Sequence, residues 1–223
     1  MFNLPSPPGF RGLHPDLPIE MYSRNLPHWR QEGATYFVTF HLADALPLAK
    51  KKELESLRRD FEAKHPTPRN EKAWSVYANE IFRLVEKWMD AGSGECWFSQ
   101  TVFAKELERE ILHYNSIRYE VGCFVIMANH CHLVLRPFAG VLLENELGSI
   151  KSSVSRFINQ HSHAKGNLWE QESYDRIIRD DEHLYRVVQY ISNNPRLASV
   201  PRQDWVRWID AGWESLGWGF VDQ

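Results

Sequence analysis

The chain has 223 residues, 43% of them apolar, which suits one large domain or a domain with appendages and a core that needs no staples. Its three cysteines, Cys96, Cys123 and Cys131, form no Cys-x-x-Cys, which excludes a disulfide framework and a zinc ribbon; with no signal pattern and no apolar run of membrane length, a cytoplasmic protein is expected. The formal charge of −3 argues against general attraction to nucleic acid, so such a role needs a local basic patch.

Residues 1–33 are dense in proline, from Pro5 to Pro27, and read as an irregular arm, neither helix nor sheet strand. The arm ends in Arg24, Trp29 and Arg30, an aromatic among cations that suits a phosphate and a stacked base, or a tail packing its Trp. Ala34 to Ala43 reads as a strand, with Tyr36, Val38, Phe40 and Leu42 on one face and His41 on the other. Charged helices follow over Leu46–Lys64 and Glu71–Met89, broken at Pro66-Thr67-Pro68. The stretch of about 66–95 reads as a helical insertion in a smaller fold. Gln100–Ile117 is helical, and Arg118–Met127 is a strand that turns through Ala128-Asn129.

The next strand begins His130-Cys131-His132. Residues two apart share a strand face, so the two imidazoles project together, about 7 Å apart along the strand. Cys131, Leu133 and Leu135 point to the core. Neutral imidazole is a common metal ligand, although a His-x-His pair alone is weak evidence and fits two half-exposed strand histidines better. Leu142–Gln160 is a helix, and Leu168–Arg179 is a strand-like segment. The loop between them carries a second His-x-His, His161 and His163, with no strand to support it. Asp180-Asp181-Glu182 opens a last helix, which Pro195 is expected to stop. Tyr190 and Asn194 lie on one face of it, four residues apart. Tyr185 is five residues from Tyr190, about 500° around the helix, and faces elsewhere. A tyrosine oxygen can form a covalent intermediate, and an amide oxygen suits Mg²⁺ or Mn²⁺. The order of elements predicts an α+β sandwich of ferredoxin-like type, mostly antiparallel, with helices packed on one face.

Here the sequence resembles a known family. Met127-Ala128-Asn129-His130-Cys131-His132-Leu133-Val134-Leu135 is similar to the His-hydrophobic-His motif of the single-tyrosine HUH transposases (IS200-like). Trp169-Glu170-Gln171, Tyr174–Arg179 and Tyr190-Ile191 with Asn194-Pro195 resemble the C-terminal block of the REP-associated tyrosine transposase branch. Ala128 stands where proline is common, and Asn194 where one group often has Gln. The resemblance spans 34–205, leaving 1–33 as an arm and 206–223 as a tail. It implies cleavage of single-stranded DNA near a hairpin, a 5′-phosphotyrosine and Mg²⁺ or Mn²⁺ dependence, in a monomer or homodimer. Carried over by position, His130, His132 and Asn194 would hold the metal and Tyr190 would be the nucleophile. Two other readings stay open: a domesticated nicking enzyme that mobilises nothing, and a non-catalytic hairpin-binding protein. For either, DNA contact is expected from Arg24, Trp29, Arg30, Lys151, Arg176 and Arg179.

Overall fold

The computed structural model describes residues 3–23, 27–66, 71–162, 164–202 and 205–220. Arg24 and His163 lie outside the described residues. Four strands, β3 (Tyr36–His41), β4 (Tyr119–Ile126), β5 (His130–Pro137) and β6 (Tyr174–Ile177), stand in the order β6-β3-β5-β4, each pair antiparallel. Two helices, α3 (Thr101–Leu112) and α4 (Leu143–His161), make the crossovers from β3 to β4 and from β5 to β6. This is the ferredoxin-like arrangement that the sequence predicts.

The period of two sorts the strands between two cores. Val38, Phe40, Cys131, Leu133 and Phe124 pack with Leu107 of α3 and Val154 of α4. Phe37, Val125 and Val134 face the opposite way, onto Leu184, Val188 and Ile191 of α5 (Asp181–Leu197). The helical layer expected on one face is α3 with α4, and α5 covers the second face. The central strands are therefore buried on both sides, as apolar runs such as Phe124–Met127 allow. β4 and β5 meet in the two-residue turn Ala128-Asn129, closed by the Met127 N–H to the His130 carbonyl at 2.8 Å.

Several elements depart from the sequence reading. The arm contains a two-stranded ribbon, β1 (Glu20–Ser23) with β2 (Pro27–Arg30). Pro27 is the first residue of its strand, where a missing donor costs the ladder little, so proline density did not prevent pairing. Helix α5 runs through Pro195 to Leu197 instead of stopping before it. The proline falls in the last turn, and beyond it the Ala198 N–H still reaches the Asn194 carbonyl at 3.0 Å. Residues read as a tail supply β7 (Val206–Ile209), which pairs with β4, and a short helix, α6 (Ala211–Glu214).

The charged helices are α1 (Leu48–Lys64), which buries no residue, and α2 (Glu71–Met89), which buries Tyr77, Ile81, Glu86 and Met89. Phe61 of α1 stacks on Tyr77 of α2 with ring centroids 4.2 Å apart. Among the described residues, no helix is long and apolar enough to cross a membrane.

Candidate active site

β5 presents His130 and His132 on the α5 side of the sheet, 1% and 0% exposed, with ring centroids 4.8 Å apart. Each ring is fixed through Nδ1. That of His130 donates to Asn129 Oδ1 at 2.8 Å, and that of His132 bonds Thr39 Oγ1, across the β3–β5 pairing, at 2.8 Å. Both Nε2 atoms are thereby aimed at one space, which is how second partners orient metal-binding imidazoles. Asn129 is held in turn by the carbonyls of Met89 and Ser93, at 3.2 and 3.0 Å, so the end of α2 is tied to the histidine turn.

Glu86 of α2 closes the space from above. Its Oε2 lies 3.1 Å from His132 Nε2 and accepts the Tyr190 O–H. Asn194 Nδ2 donates to the Tyr190 oxygen at 3.4 Å, as the one-turn spacing on α5 requires. Burial, and then the neighbouring His132, push His130 down to about 3, so both its nitrogens are set for a neutral ring. Burial would raise Glu86, but the imidazoles outweigh it and lower its pKa. Burial first, and then the Glu86 charge, raise the Tyr190 phenol well above its ordinary value.

These residues fit a divalent cation. One ligand atom from each of Glu86, His130 and His132 lies within 4.8 Å of the others. His130 Nε2, Glu86 Oε1 and Asn194 Oδ1 are buried with no hydrogen-bond partner among the described residues. Bare buried acceptors are costly, and an imidazole–carboxylate–amide set suits a divalent metal ion. The structure thus brings His130, His132, Tyr190 and Asn194 together. It adds Glu86, which sequence reasoning left inside an insertion. The available signal was a carboxylate on the buried side of α2, four residues after Phe82 and three before Met89.

Tyr174 and Tyr185 have other partners. Tyr174 accepts from Arg176 at 2.6 Å and stacks on Phe82, and Tyr185 packs in the α5 core toward Trp218. The expected DNA contacts divide. Trp29, Arg176 and Arg179 line one groove, together with Trp74 of α2. Arg30 is ion-paired to Glu20 and Glu144. Lys151 is bonded to Ser173 Oγ at 2.7 Å and to the Glu170 carbonyl at 3.2 Å.

The family model described as "Transposase IS200 like" matches residues 99–194, the span that holds both histidines, the tyrosine and the asparagine. The matched segment begins beside α3 and ends on Asn194 in α5, so α1, α2, the arm and β7 all lie outside it. A solved structure, described as a REP-associated tyrosine transposase bound to a REP hairpin, is similar to the chain at 14% identity and a TM-score of 0.38, over 74% of this chain and 68% of that one. No curated protein matches the chain.

Proposed function

We propose that the protein cuts and rejoins single-stranded DNA beside a hairpin, with Tyr190 as the nucleophile. The observation that carries this is the convergence of the Tyr190 oxygen, two fixed imidazoles and Asn194 on one buried space. The choice of a hairpin flank rests on the motif resemblance at Trp169–Gln171 and Tyr174–Arg179. His130, His132, Glu86 and Asn194 would hold Mg²⁺ or Mn²⁺, which supplies charge neutralisation and polarises the phosphodiester when bound.

The protein's own part in the step follows from the Tyr190 contacts. The raised phenol is protonated at neutral pH, and its proton already lies on the bond to Glu86 Oε2. As the oxygen attacks phosphorus, that carboxylate receives the proton. The P–O bond to the 3′-oxygen breaks, the leaving oxygen takes up a proton, and a 5′-phosphotyrosine with a free 3′-OH remains. Rejoining is the reverse attack by a 3′-OH. His132, bonded to Thr39, and Asn194, bonded to the phenol, keep the ring and the reacting phosphate in register.

The test is a labelled hairpin oligonucleotide with a single-stranded flank, incubated with the protein and Mn²⁺ and run on a denaturing gel. A covalent adduct is expected from the parent and from Tyr174→Phe and Tyr185→Phe, and none from Tyr190→Phe. An adduct mapped by mass spectrometry to another tyrosine would overturn the assignment. Binding without any adduct would favour the non-catalytic hairpin binder.

A further inference from the structure

The helix that closes the site from above also carries two cations toward the nucleophile. A cleft between α2 and α5 is lined by Phe82, Glu86, Tyr190 and Asn194, and by Arg83 and Lys87. Arg83 and Lys87 are one helical turn apart, so they share a face of α2. Both are exposed, and neither has an ion pair or hydrogen bond among the described residues. Arg58 on the neighbouring α1, by contrast, is bonded to Glu62 at 3.0 Å. Two carboxylates, Glu86 and Asp90, line the same cleft. An anionic strand entering it would be repelled unless cations offset them, and Arg83 and Lys87 are the cleft's two cations among the described residues. Asn194, 1% exposed, marks the inner end.

We infer that Arg83 and Lys87 hold backbone phosphates of the strand being cut and so draw it across Tyr190. This rests on the reading of Tyr190 as the nucleophile. Lysine and arginine are complementary to phosphate, and each such contact on a single strand contributes about 0.7 to the slope of log affinity against log salt. It assigns α2, which lies outside the matched segment, a share of substrate binding.

The experiment compares the parent with Arg83→Gln, Lys87→Gln and the double variant. Gln preserves helix propensity at exposed sites, and thermal unfolding checks each fold. Fluorescence anisotropy over a salt series measures affinity for a hairpin with a single-stranded flank and for the same hairpin without one. The slope for the flanked hairpin should fall by about 0.7 in each single variant and about 1.4 in the double variant. The slope for the blunt hairpin should not change. An unchanged slope on the flanked hairpin, in a folded double variant of a parent that forms the Tyr190 adduct, overturns the clamp alone. A parent that forms no adduct overturns the nucleophile reading and the clamp together.

Discussion

Glu86 is shared between two tasks, since one carboxylate faces an imidazole and accepts the phenol proton. Glu86→Gln keeps the shape and removes the charge. Mn²⁺ affinity, read by titration calorimetry, should fall about tenfold or more. The Tyr190 phenol should titrate lower than in the parent, because the charge that raises it is gone, yet stay above an ordinary tyrosine because it is still buried. Unchanged Mn²⁺ affinity would remove Glu86 from the ligand set. His130, His132, Tyr190 and Asn194 were legible in the sequence because each pair is set by a local period, two in a strand and four on a helix. Glu86 was not, because its partners lie more than forty residues away and only the packing of α2 on β5 joins them.

The ribbon of the arm is held to the sheet by a buried histidine. His28 of β2 sits between Asp175 of β6 and Glu172, 3.1 Å from the latter. Burial alone would lower its pKa, but the two carboxylates outweigh burial and raise it to about 9. Its folded value lies above the ordinary 6.5, so the charged His28 stabilises the fold fully below about pH 6.5. That contribution is lost as pH rises toward 9. Urea denaturation at pH 6 and pH 9.5 should show the loss, and a flat profile would mean that His28 is not held as a cation. α3 and α4 were legible from their 3.6-residue stripes. The ribbon was not, since a strand is defined by its partner and Pro27 argued against one. The turn of α5 beyond Pro195 was hidden for a related reason: the bond that holds it comes from a carbonyl ahead of the proline.

A molecule of formal charge −3 cannot attract DNA as a whole, so recognition depends on where its cations sit. Trp29, Arg176 and Arg179 share a groove with Trp74, where Arg176 is bonded to Tyr174 and Asn79, and Arg30 and Lys151 are held by other protein partners. Affinity should therefore favour a hairpin with a single-stranded flank over a duplex of the same length, and it should weaken with salt. Equal binding of the two at moderate salt would sink this. The α+β class and the order of strands and helices along the chain followed from hydrophobic periodicity. The contributions of α2, β2 and β7 did not, because they are additions that the core fold does not dictate. β5 lies in the middle of five strands with a core on each face, while α1 buries nothing. In hydrogen exchange, the β5 amides should open only with global unfolding, and those of α1 through local fraying. The two imidazoles ride on the strand expected to exchange most slowly, and Glu86 and Tyr190 reach them from α2 and α5. The imidazole half of the site is thus expected to stay in place for as long as the fold does.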